Sequence, residues 1–252
     1  MLRRLVLLAA FALAACGGAD ADDPGARDDD FTQGDFPADQ VLPYKDGWLD
    51  APHALAGVGQ FDRLKTTKHD DAKCSTMVAM AAAVVGGEDH FVRFLDAVAK
   101  KREGRADDLA IIDRARTAVA EKKLTSRHLQ EFTEVVVRAY GVENGAYDGQ
   151  ISEMVRASGY QPVKIGSSKP ADLVAALAPN EVVPLSIMSP EEDGSSVLIP
   201  HITLIWMDAR GVVRLYDSDD FHGSHVMARG SAPFNDRMTR PDSSWDLREK
   251  YR

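Results

Sequence analysis

Cysteine is nearly missing from this sequence. Cys16 and Cys74 are the two present, too few for a disulfide framework or a cysteine-rich zinc module. Basic runs are missing as well. Lys and Arg number 30 against 39 Asp and Glu, a net charge of −9, and no stretch concentrates the positive residues. That balance argues against a phosphate-backbone partner, and so against nucleic acid. No apolar run reaches the roughly 20 residues a helix needs to cross a bilayer core, and no period typical of solenoid repeats recurs. What is present is a chain of 252 residues, 44% hydrophobic and 27% charged, ample for a buried core.

The N-terminus has the grammar of an address. Arg3 and Arg4 give a positive start, Leu5 to Ala15 is an apolar run of eleven, and Leu13-Ala14-Ala15-Cys16 sets small residues before a cysteine. The run is too short to span and fits a secretory segment that is removed. Its end resembles the lipobox of bacterial lipoproteins, which implies acylation of Cys16 as the mature N-terminus. Gly17 and Gly18 follow without an acidic residue, and the same resemblance then implies the outer membrane. Without Arg3 and Arg4 the chain keeps 28 basic against 39 acidic residues, a charge of −11, so anchoring falls to the lipid. Residues 16–43, with Asp28-Asp29-Asp30, hold too little apolar content to offset ordering entropy and are expected to be a disordered acidic tether. They lack the ligand spacing of a calcium loop.

From residue 44 the composition becomes globular, and one domain is expected over 44–252. Ser75 to Val85 is small and apolar all round, the pattern of a helix buried on most faces, with Gly86-Gly87 to end it. Glu88 to Arg102 places acid first and base last, as a helix dipole prefers. Asp107 to Lys122 and Thr125 to Tyr140 repeat helical periodicity, with Thr125 as a cap. After Gly159 the pattern changes. Tyr160 to Ile165, Val182 to Ile187, Pro200 to Met207 and Val212 to Asp217 are strand candidates. Pro170 to Leu177 is a short helix capped by Ser168, and Asp208-Ala209-Arg210-Gly211 is a hairpin turn. Helices over 74–158 followed by a sheet over 160–220 is an α+β order, a helical half packed on an antiparallel sheet half. Little structure is expected beyond His225.

With Cys16 acylated, Cys74 is the one thiol left in the mature chain. It stands just before the apolar helix, where unpaired N–H groups and the positive end of the helix dipole favour a thiolate. His201 opens the alternating strand His201-Ile202-Thr203-Leu204-Ile205-Trp206. Asp217 ends the next strand, sixteen residues on, so a hairpin returns its carboxylate to the ring. A general base needs such an orienting partner: Asp217 would accept the ring N–H and leave the other nitrogen for the thiol.

This constellation resembles the papain-like cysteine peptidase superfamily. Asp172 to Asp217 looks most like the bacteriocin-processing peptidase-like group: a short helix, a strand, a His-aliphatic strand, a glycine turn, and a strand ending in Asp. The resemblance covers roughly residues 59–220. It implies a papain-like fold, acyl transfer through a thioester, a peptide or protein substrate, and no cofactor. It also implies a glutamine before the nucleophile that helps hold the oxyanion. Lys68 occupies the usual place six residues upstream, so that part is assigned to Gln60, with the backbone N–H of Cys74 as second donor.

Two rivals stand beside this expectation. A non-catalytic lipoprotein of the same fold would act as a binding module. Alternatively, the run Asp217 to His225, with His222 and His225, could ligate a divalent metal, although it contains glycine and lacks the glutamate of helical zinc-hydrolase motifs. His53, His90 and His128 have no companions that suggest chemistry. The leading expectation is a lipid-anchored cell-envelope cysteine hydrolase or acyltransferase, with Cys74 as nucleophile, His201 as general acid and base, Asp217 as orienter and no metal.

Overall fold

The computed structural model describes residues 31–32, 38–58, 73–143, 145–167, 169–190, 198–218, 224–240 and 249–252. Cys16, Gln60 and His222 lie outside them, as does Ser168. In chain order the first elements are β1 (Phe31–Thr32), β2 (Tyr44–Lys45), β3 (Trp48–Leu49), α1 (Ala51–Ala56), α2 (Cys74–Gly86), α3 (Glu88–Lys101), α4 (Ala106–Ala120), α5 (Ser126–Tyr140) and α6 (Asp148–Ala157). Then follow β4 (Pro162–Lys164), α7 (Pro170–Ala175), β5 (Val182–Pro190), β6 (Leu198–Met207), β7 (Val213–Tyr216), β8 (Ser224–Ala228), α8 (Ala232–Met238) and β9 (Glu249–Tyr251). The class is α+β, with most of the helices preceding most of the strands of an antiparallel sheet.

Helix α2 is the axis of the molecule. Every residue from Ser75 to Val84 is buried, because a helix without a polar face has nothing to offer water and is enclosed on all sides. It packs on α3, α5 and α6, and on β6 of the sheet. Around it, α3 and α5 are amphipathic. Phe91 and Phe94 of α3 meet Phe132 of α5 edge-on, at centroid distances of 5.8 and 5.4 Å, a favoured arrangement for ring quadrupoles. Thr125 caps α5 as its sequence position predicts: its side chain accepts from the His128 N–H at 3.3 Å.

Among the described residues the main sheet has seven strands in the order β1-β8-β7-β6-β5-β9-β4. Strand alternation divides its two faces. Ile202, Leu204, Trp206, Tyr216 and Val226 join the core of α2. Val183, Leu185, Ile187, Ile205, Leu215 and Met227 form a second core, closed by α7 and by Phe234 of α8.

The sheet is larger than the sequence pattern indicates. Strands β8 and β9 lie beyond residue 220, and β1 falls in the stretch expected to be tether, pairing Phe31 with Val226. Ordered structure also resumes before residue 44: the Leu42 N–H donates to the Leu124 carbonyl and Arg127 pairs with Asp39. Main-chain pairing of this kind leaves no trace in composition. Helix α7 stops at Ala175 and begins after Lys169, not Ser168; near its start Ser167 Oγ donates to Asp172.

Candidate active site

The nucleophile candidate is the first residue of α2. Lys73, directly before it, has a fully buried side chain whose ammonium meets Glu134 Oε1 of α5 at 2.8 Å, and the Lys73 carbonyl accepts from Met77 N–H and Thr76 Oγ1. The start of α2 is thus tied to the helical half by an ion pair and to its own first turn by hydrogen bonds. Cys74 itself is half-buried and free of disulfides. It is the most accessible of the three candidate groups.

His201 is near the start of β6, opposite Ile187 in the ladder with β5. Asp217 follows the last residue of β7, and the pairing of Leu204 with Tyr216 fixes how far that strand returns along β6. The turn is closed by Asp208, whose main chain pairs with Val212 and Gly211 and whose Oδ1 accepts from the N–H groups of Arg210 and Val212. Gly211 sits at φ +81°, a conformation that favours glycine. The hairpin brings Asp217 Oδ1 to 2.7 Å from His201 Nε2. The thiol of Cys74 is near enough to the same ring to raise its pKa. The structure therefore assembles Cys74, His201 and Asp217 from three separate elements.

The electrostatics follow from burial and contact. Burial opposes charge on the His201 ring, but the Asp217 carboxylate and then the Cys74 sulfur outweigh it, and its pKa is held well above the usual imidazole value. Burial likewise opposes charge on Asp217, yet His201 and Arg237 hold that carboxyl below its ordinary range. Both groups are sealed: Asp217 is fully buried and His201 is 4% exposed.

Arg237 had no place in the sequence expectation. It comes from α8, in a stretch where little structure was expected, and its Nε donates to Asp217 Oδ2 at 2.8 Å. The one available signal was Ser231-Ala232-Pro233, a serine cap followed by proline in the first turn, which marks a helix start. Both Asp217 oxygens are engaged by protein groups, His201 on one and Arg237 on the other. Asp217 thus faces the ring. Of the metal alternative, His225 has its main chain in β8, and no cluster of three or more metal-binding side chains occurs among the described residues.

Gln60 lies outside the described residues; two residues before it, the Val58 carbonyl accepts from the Tyr216 hydroxyl at 2.7 Å, tying that segment to the residue next to Asp217. Three further histidines among the described residues have other employment. His53 pairs with Asp50 at 2.7 Å, His90 lies against Tyr160 at 4.4 Å between ring centroids, and His128 completes the cap of α5.

No protein-family model, curated protein or solved structure matches this chain.

Proposed function

We propose that this protein is a papain-like cysteine hydrolase or acyltransferase, held at the bacterial cell envelope by a lipid on Cys16. One observation carries the catalytic part: the His201 ring is hydrogen-bonded to a buried carboxylate, and a helix-terminal thiol is near enough to the same ring to help hold its pKa up. That arrangement supports a thiolate paired with an imidazolium, the activated state of a cysteine nucleophile. The sulfur adds to an acyl carbonyl and forms a C–S bond. Collapse breaks the bond to the departing amine, which leaves with the His201 proton. Water then gives a proton back to His201 and cleaves the thioester, releasing the acid and restoring the thiol; in a transferase an amine takes the place of water. Peptide or isopeptide bonds are the substrate class, and the chemistry requires no cofactor. The backbone N–H of Cys74, at the start of α2, is one oxyanion donor, and Gln60 is assigned the second.

The test is selective alkylation of the soluble form lacking residues 1–16. Iodoacetamide at pH 6 should label Cys74 faster than it labels glutathione, and His201→Ala should remove the difference. Labelling no faster than glutathione in the unaltered protein overturns the enzyme reading and leaves a binding module of the same fold.

A further inference from the structure

We infer that Arg237 is a positioning residue of this site: its guanidinium clamps the Asp217 carboxylate, keeping that acid ionised and turned toward His201. The inference rests on the catalytic reading of Cys74, His201 and Asp217.

Geometry supports it first. The two oxygens of Asp217 are divided, Oδ1 to His201 Nε2 at 2.7 Å and Oδ2 to Arg237 Nε at 2.8 Å, so the carboxylate cannot rotate without giving up both. Asp217 continues the strand parity of Val213 and Leu215, which share a core with Phe234 of α8, and that parity places it on the side where Arg237 stands. Helix α8 is fastened at both ends. Ser231 caps its start and donates its own N–H to the Ala228 carbonyl of β8, while the Met188 N–H of β5 donates to the Arg240 carbonyl just beyond its end. The helix thus reaches from β8 to β5, and the arginine is held in place by the fold. Its second contact, Nη1 to Asp236 Oδ2 at 2.9 Å, is backed by Arg240 on Asp236 Oδ1 at 2.7 Å.

Charge supports it independently. A fully buried carboxylate is costly unless paired, and a neutral imidazole offers it one hydrogen bond and no charge. A guanidinium stays protonated throughout the working range. Arg237 is therefore a constant counter-charge, present whether or not the imidazole has given up its proton during turnover. The charged and titratable groups around Asp217, among the described residues, are His201 from β6, Arg237 from α8, Tyr216 on its own strand and, across the ring, Cys74 from α2. Tyr216 is fully buried and its phenol is pushed well above the usual value, so it stays neutral.

Two consequences separate this role from a structural tie. Without the guanidinium, Asp217 takes up a proton as the pH falls and ceases to support the imidazolium, so Cys74 needs a higher pH to react. Once Asp217 is replaced by an amide, Arg237 has no further influence on that pH.

The experiment measures iodoacetamide labelling of Cys74 against pH in the soluble form, for the unaltered protein, Arg237→Met, Arg237→Lys, Asp217→Asn and the Arg237→Met/Asp217→Asn double variant. Arg237→Met should raise the pH of half-maximal labelling by about one to two units. Arg237→Lys should recover part of that shift, and the double variant should match Asp217→Asn. A folded Arg237→Met with an unaltered profile overturns the inference and leaves the catalytic reading standing. An unaltered protein that labels no earlier than glutathione overturns both. If Arg237→Met does not fold, recovery of folding in the double variant supports the clamp, because the stranded carboxylate was then the fault; failure of both to fold assigns Arg237 to the scaffold and overturns it.

Discussion

Asp217 Oδ1 stands 2.7 Å from His201 Nε2 across a hairpin that separates them by sixteen residues. In the proposed mechanism the carboxylate fixes which ring nitrogen carries the proton, and hence which one serves Cys74. Asp217→Asn should preserve the fold and lower acyl-transfer activity by about 10⁴-fold, the cost of the same change in a serine triad. The rate of thioester formation with an activated peptide ester measures it; a loss under tenfold would remove Asp217 from the mechanism.

The same pair gives stability a defined dependence on pH. His201 has a raised pKa in the fold, so its contribution is complete below the ordinary value of about 6.5 and is lost as pH rises through the raised value. Asp217 has a lowered pKa; its contribution is complete above the ordinary value of about 3.9 and is lost as pH falls through the lowered one. Urea midpoints should therefore be highest between about pH 4 and 6.5. His201→Gln should flatten the alkaline side, and an unchanged alkaline slope in that variant would contradict the assignment.

Lys73→Met should be among the most destabilising substitutions outside the apolar core. It strands the buried Glu134, whose other cationic neighbour, Arg138, is 3.6 Å away, and breaking a buried pair costs about 3–5 kcal/mol. Adding Glu134→Leu should restore much of the loss, because removing both charges leaves neither uncompensated. Urea unfolding of the single and double variants decides the matter.

Helix α5 begins with a reciprocal cap in which His128 occupies the place usually held by Glu or Gln. Its Nδ1 accepts from the Thr125 N–H at 3.2 Å, and burial lowers its pKa, with Glu131 and Asp39 opposing and Arg114 and Arg127 adding to the effect. A proton on that nitrogen ends the acceptance. The cap's contribution should be intact above about pH 6.5 and decline below it as the unfolded chain binds a proton that the fold resists. Thr125→Ala should cost about 1 kcal/mol. His128→Gln should retain the cap and remove its acid sensitivity, as thermal melts at pH 5 and pH 7.5 would record.

Much of this was legible in the chain, for identifiable reasons. Helix α2 announced itself because Ser75 to Val85 has no polar face, and the hairpin of β6 and β7 because alternation and Gly211 agree. Those two features carry Cys74, His201 and Asp217. Less legible was anything whose stability comes from distant partners. Helix α6 is a short segment following a glycine-rich stretch, β1 and β9 are strands of two and three residues defined by the strands beside them, and α8 rests on Phe234 and two main-chain bonds. Arg237 is one arginine in a polar segment, and it becomes meaningful once α8 is laid from β8 to β5. Lys73 gave even less warning, since a lysine in sequence reads as a solvated charge, and its burial depends on Glu134, 61 residues away.

Strand β9 occupies an interior position in the sheet, between β5 and β4, and among the described residues β4 has no other strand beside it. Residues 162–164 and 182–190 are near neighbours along the chain, yet in the sheet they are linked through residues 249–251, which stand between them. Closing so wide a loop is slow relative to forming local helices. Refolding should therefore proceed in an order, with the α-helical half acquiring protection from hydrogen exchange before Lys164 and Lys250 do. Until that insertion is made, the open flank of β5 is a ready template for another chain, so the interval before closure is when this protein is most exposed to aggregation.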